Sequence, residues 1–236
     1  LFGSAHQIIT QIFAKWGITY TYLDADASEE QWEAAVQPNS RMVYLETPSN
    51  PGLELVDLAM IGRICKKHNL IFNVDNCFAT PIIQTPVDFG ADLIVHSATK
   101  FMDGQGRVLG GVVVGKAEYI APIRFFCRHT GPSMSPFNAW TLSKSLETLE
   151  LRMERHSKNA LRLAEALEAL PEVKKVNYPY LPSHAQYELA KAQMNAGGAI
   201  VTIELEGGFE RVSAFMKALT IPTLSSVKKW MVSWRT

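Results

Sequence analysis

Short apolar runs alternate with amphipathic stretches through the first hundred residues, and this alternation constrains the fold more than any other feature. Residues 41–46, 69–75 and 92–96 are rich in Val, Ile, Leu, Phe and Tyr, as strands are. Between the first two runs, Asp57 precedes a stretch that carries Leu58, Ile61, Ile64 and Cys65 on one helical face and ends near His68. Strands joined by helical crossovers pair in parallel, because the crossover returns the chain to the end where it started. The 92–96 run is partly β-branched and suits a strand buried on both faces. An α/β fold is therefore expected, with a mostly parallel sheet flanked by helices.

Before these runs, Ile8, Ile9, Ile12 and Phe13 mark an amphipathic helix over residues 5–16, closed by Gly17. A strand is expected over 19–23. Ser28 and Gln31 stand at capping-box spacing for a helix to about Val36. The glycines at 104, 106, 110 and 111 fit neither a Walker nor a dinucleotide motif and read as a loop into a strand at 112–114. A helix over 117–127 follows, and the chain then breaks between Thr130 and Pro136. That break is the expected domain junction: residues 1–135 form a large domain, and residues 136–236 a linking helix and a smaller, partial α+β C-terminal domain. In the second part, Trp140, Ser143, Leu146, Leu149, Met153, Leu163, Leu167 and Leu170 make a helical stripe over 136–170, read as core. A strand over 174–178, a helix over 184–194, a strand over 199–205 and a helix over 209–219 complete the reading.

Open α/β sheets bind ligands beyond the carboxyl ends of their strands. The second run ends in Asp75, and the third leads into Ser97-Ala98-Thr99-Lys100. If these strands lie near each other in parallel, Asp75 and Lys100 project into one crevice. A carboxylate, an amine and two hydroxyls placed together meet the needs of pyridoxal 5′-phosphate. The amine takes up the cofactor's aldehyde, the carboxylate keeps its ring nitrogen protonated, and hydroxyls hold its phosphate.

Lys plus Arg balance Asp plus Glu at 23 each, so no overall field draws the chain to nucleic acid or to an anionic membrane, while small anionic substrates stay open. The cysteines, Cys65, Cys77 and Cys127, are odd in number and lack C-x-x-C spacing, which argues against a disulfide framework or a zinc site; no metal is expected. They suit a reducing cytoplasm. No apolar run approaches the roughly 20 residues that span a bilayer, and no leader-like segment opens the chain, so neither membrane insertion nor export is expected.

Three motifs in this order, Glu46-Thr47-Pro48-Ser49-Asn50-Pro51, Val74-Asp75-Asn76 and Ser97-Ala98-Thr99-Lys100, resemble the Cys/Met-metabolism family of pyridoxal-phosphate enzymes. The likeness runs from residue 1 to about 226 and includes Ser135-Pro136-Phe137-Asn138-Ala139-Trp140 and Leu151-Arg152-Met153-Glu154-Arg155. It implies a type I pyridoxal-phosphate transferase fold. It also implies that Lys100 is the Schiff-base lysine and the base at the substrate's Cα and Cβ, that Asp75 pairs with the ring nitrogen, and that Ser97 and Thr99 hold the phosphate. Phe2 and Gly3 fall among the cofactor-binding positions, Phe2 by stacking on the ring. Asn50 lies beside the cofactor and the substrate carboxylate. Relatives often carry Tyr at the Phe2 position and Thr at Cys77, so a phenol and one hydrogen bond are missing here.

Residues 100–111 and 180–186 are most similar to the sulfhydrylase branch of the family, which implies replacement of the γ-acyloxy group of an acylated homoserine by sulfide to give homocysteine, in a homotetramer built as a dimer of dimers. Cystathionine γ-synthases and γ-lyases share the same core. A non-catalytic truncated remnant is the alternative of a different class. The chain is expected to be truncated at both ends, with further phosphate ligands upstream or on a neighbouring subunit and a substrate-carboxylate arginine downstream. Residues 227–236 depart from the family's continuation, and Arg235 is not given that role.

Overall fold

The computed structural model describes residues 1–219; the stretch from Val227 onward, with Arg235, lies outside the described residues. In chain order the elements are α1 (Gly3–Gln7), α2 (Glu29–Ala35), β1 (Met42–Glu46), α3 (Leu58–His68), β2 (Ile71–Asp75), α4 (Thr80–Ile83), β3 (Leu93–Ser97) and β4 (Gly111–Gly115). Then come α5 (Ala117–Thr130), α6 (Pro136–Leu146), α7 (Leu149–Glu168), β5 (Val173–Asn177), α8 (Tyr187–Gln193), β6 (Thr202–Leu205) and α9 (Gly208–Ala218).

The main sheet has the order β1-β2-β3-β4. Its first three strands are parallel and β4 runs antiparallel to β3. One face is apolar: Val43, Leu45, Phe72, Val74 and Ile94 pack with Leu58, Ile61, Ile64 and Cys65 of α3. Each such side chain, removed from water, contributes on the order of 2 kcal/mol. Helix α3 is held at both ends. Asp57 accepts a 2.9 Å bond from the Met60 amide, Asn69 takes the left-handed conformation (φ 51°), and Lys66, Lys67 and His68 face the negative end of the helix dipole. Asp57→Ala is expected to lower stability by about 1 kcal/mol in urea denaturation, with activity unchanged.

Four expectations need correction. Residues 19–23 have strand composition but form no ladder. A cleft of about 2000 Å³, lined by that stretch and by β1, separates them from a strand with which they could pair. The N-terminal helix begins at Gly3 and is irregular, passing through a π-helical turn at Ile8–Ile12 and a 3-10 turn at Phe13–Trp16 before Gly17 (φ 75°) ends it. The single helix over 136–170 is two, broken at Glu147 and Thr148. Trp140, Leu146, Leu163 and Leu170 of the expected core stripe are exposed. The buried row of α7 is Leu149, Met153, Ser157, Ala160 and Ala164, whose small members let neighbouring elements come close. Finally, β3 is buried on both faces only at its start, where Leu93 is enclosed. Ile94 and His96 lie in the core, whereas Val95 and Ser97 are half-buried on the other face. Elsewhere only boundaries shift: α8 and β6 are shorter than read, and α5 runs on to Thr130, where Gly131 caps it.

Strands β5 and β6 form a separate antiparallel pair. One cluster joins the two parts of the chain across Pro136, because Leu55, Ala79, Ala98 and Met102 pack with Leu142, Leu149, Met153, Ala190 and Met194. Two glutamines reinforce it. Gln186 accepts from the Leu55 amide (2.7 Å) and donates to the Leu55 carbonyl (2.6 Å), while Gln193 accepts from Leu58 (3.2 Å) and donates to Val56 (3.1 Å). Among the described residues, no helix is long and apolar enough to cross a membrane.

Candidate active site

The parallel register sets the site. Glu46 of β1 is level with Asp75 of β2, and Asp75 is level with Val95 of β3. Side chains alternate along a strand, so Tyr44 and Glu46, Asp75, and Val95 and Ser97 share the face opposite the α3 core. At its upper edge Asp75 is fixed by two donors: the Cys77 amide at 3.1 Å to Oδ1 and the Tyr44 hydroxyl at 3.2 Å to Oδ2. Burial raises the Asp75 carboxyl above its ordinary range, while these two bonds pull it back. Tyr44 is pushed well up by burial and then by the Asp75 charge, so its phenol stays protonated and donates.

Glu46 is the second buried carboxyl. Its Oε2 accepts from the Phe2 backbone amide at 2.5 Å. Burial, followed by the neighbouring Asp75 charge, pushes it up to about 7, while the Phe2 amide bond and, less strongly, Lys100 draw it down. Burial also lifts the Cys77 thiol to about 11, which keeps it protonated near neutral pH.

Lys100 lies on the turn that follows β3. Its amide bonds the Ser97 carbonyl (3.0 Å) and its carbonyl accepts from Gly104 (2.8 Å). The side chain is exposed, with Nζ 5.9 Å from the centroid of the Phe2 ring. Behind this turn Asp103 is fully enclosed and accepts from the Arg107 amide (2.7 Å) and guanidinium (3.2 Å), the Gln105 amide (3.3 Å) and Ser145 Oγ (3.2 Å). Arg152 of α7 donates to the carbonyls of Phe101 (2.6 Å), Met102 (3.1 Å) and Ser145 (2.9 Å). It thereby ties the Lys100 turn to the break between α6 and α7. Gly104 is required there, since a Cβ would come 2.1 Å from the Arg152 guanidinium and φ is +71°.

The structure thus brings Phe2, Asp75, Ser97 and Lys100 to one end of the sheet. Gly3 opens α1, and a Cβ added to it would meet nothing within 4 Å. Asn50 is half-buried in the loop after β1 and lines the large cleft together with Glu46. Neither that cleft nor a smaller one around Glu33, Arg41 and His68 has Asp75 or Lys100 in its lining. The hydroxyl of Thr99 is engaged within the chain: it accepts from the Gly110 amide at 2.9 Å and lies 3.2 Å from the Gly110 carbonyl, to which it donates. Holding a phosphate would require it to redirect that proton.

The family model described as "Cys/Met metabolism PLP-dependent enzyme" matches residues 1–227. The chain belongs to this family. It is 43% identical over 226 residues to an O-succinylhomoserine sulfhydrylase of Pseudomonas aeruginosa, covering 96% of this chain and 56% of that protein. It is 42% identical over 228 residues to an L-methionine gamma-lyase of Porphyromonas gingivalis, covering 95% of this chain and 57% of that protein. A crystal structure of cystathionine gamma-lyase from Lactobacillus plantarum, complexed with L-serine, superposes with a TM-score of 0.90 at 34% identity, covering 94% of this chain and 58% of that one. The chain therefore spans somewhat more than half the length of these relatives.

Cys/Met-metabolism enzymes depend on pyridoxal phosphate; Tyr44 lies outside the sequence motifs, and Glu46, Asp103, Arg107 and Arg152 lie within them but take their roles only from the fold. Alternation along β1 places Tyr44 with Glu46, but only the register with β2 puts both beside Asp75.

Proposed function

We propose that the protein of which this chain is part carries out pyridoxal-phosphate-dependent γ-replacement on an acylated homoserine, with sulfide as nucleophile and homocysteine as product. The observation that carries the reading is that Asp75 ends β2 level with Val95 of β3, while Lys100 lies on the turn after β3 with its amine 5.9 Å from the centroid of the Phe2 ring. These residues fit the cofactor. Lys100 would hold its aldehyde, Asp75 would keep a proton on its ring nitrogen, the Phe2 face would stack on it, and Ser97 would meet its phosphate together with a redirected Thr99.

When bound, pyridoxal phosphate supplies an electron sink for negative charge at the substrate's Cα. Lys100 would move protons at the substrate's Cα and then Cβ. The bonds from Tyr44 and Cys77 orient Asp75 and favour its ionised form against the cost of burial. Phe2 has no hydroxyl, so no proton passes through that ring and Lys100 carries the traffic. Asn50 would face the substrate carboxylate. The same reading includes a homotetramer in the cytoplasm.

A second reading, γ-elimination, is supported by the 42% identity to a methionine gamma-lyase. Borohydride reduction with pyridoxal phosphate, followed by peptide mapping, tests the site: the pyridoxyl group is expected on Lys100, and its capture on another lysine would defeat the assignment. Product analysis with O-succinylhomoserine and sulfide then separates homocysteine formation from ammonia and α-keto acid release.

A further inference from the structure

We propose that Glu46 is a positioning residue: by gripping the Phe2 backbone amide it seats the Phe2 ring beside the Lys100 amine. The inference rests on the reading of Lys100 and Phe2 as cofactor residues given above. The bond spans 44 positions of sequence and joins the end of β1 to the segment just before α1. Its donor is main chain, so it fixes where residue 2 lies whatever ring is carried there. The two carboxyls at this end of the sheet have separate partners. Asp75 takes the Tyr44 hydroxyl and the Cys77 amide, and Glu46 takes Phe2. Glu46 is buried, and β1 is fixed through Val43 and Leu45 in the core, so the acceptor is rigidly placed. A buried acceptor with a fixed position is what orders an aromatic side chain that leads an irregular helix.

The test is pyridoxal phosphate binding, read by absorbance titration of the full chain. Phe2→Ala is expected to raise Kd by roughly 3- to 10-fold, the range expected for loss of one stacking ring. Glu46→Ala should raise it similarly, and the double variant no further than the larger single change, because without the ring its seat no longer matters. Glu46→Gln keeps an oxygen at the same reach and should stay within about twofold of the parent. Glu46→Asp keeps the charge but falls short of the Phe2 amide, and should behave like Glu46→Ala; it serves if the alanine variant does not fold.

Losses that multiply in the double variant would overturn the proposal, as would Glu46→Gln binding as poorly as Glu46→Ala. A parent chain with no borohydride-trapped cofactor at Lys100 defeats the underlying reading, and this one with it. Trapping at Lys100 with multiplying losses defeats the Glu46 assignment alone.

Discussion

Lys100→Ala is expected to lower turnover by at least about 10³-fold, because in the proposed function one amine would both hold the cofactor and move the substrate protons. The side chain is exposed, so the thermal midpoint should not change and the loss can be read as chemistry. Lys100→Arg is the informative companion. It keeps a cation beside the Phe2 ring and draws on Glu46 as lysine does, but a guanidinium stays protonated and cannot form the bond to an aldehyde. Both variants should be inactive, with borohydride labelling absent. Turnover by the arginine variant would mean that position 100 acts only through its charge, and the proposed role would fail.

Asp103→Ala should destabilise the fold by about 3 kcal/mol, since the enclosed carboxylate that accepts from amide, guanidinium and hydroxyl donors is lost. The loss should depend on pH. Burial alone would raise this carboxyl, yet the bonds from Arg107, Ser145 and Gln105 hold it below the ordinary aspartate range. The folded state therefore binds this proton less tightly than the unfolded chain, and the stabilisation is present above the unfolded value of about 4. It fades as pH falls through the lowered value. In urea titrations the gap between parent and variant should be full at pH 7 and narrow in acid. A gap that stays constant with pH would show that Asp103 acts by packing alone.

The features legible in the sequence are those that short-range physics controls. The apolar rhythm of 41–46, 58–65 and 69–75 follows from strands and helices burying one face each, and Asp57 and Ser28 announce helices because orphan amides need acceptors. Asp75 and Lys100 stood out because polar residues at the ends of apolar runs mark where strands meet loops. Other features depend on partners distant in sequence. Residues 19–23 have every local qualification for a strand, but a strand exists only by pairing. Neither Gly nor Pro marks the break at Glu147 and Thr148, where Arg152 reaches back to the Ser145 carbonyl. The engagement of Thr99 with Gly110 depends on a loop closing over eleven positions, and the role of Glu46 depends on its register with Asp75. Composition contains none of these.

The amides of Gln186 and Gln193 grip the backbone of residues 55–58, not its side chains. Every L-amino acid other than proline offers the same N–H and C=O, so no replacement at positions 55, 56 or 58 can compensate for losing either glutamine. The genetic consequence is one-sided. Suppressor screens begun from Gln186→Ala should return revertants and distant stabilising changes but no allele-specific partner in that loop, and paired variation across related sequences would leave the Gln186–Leu55 contact invisible.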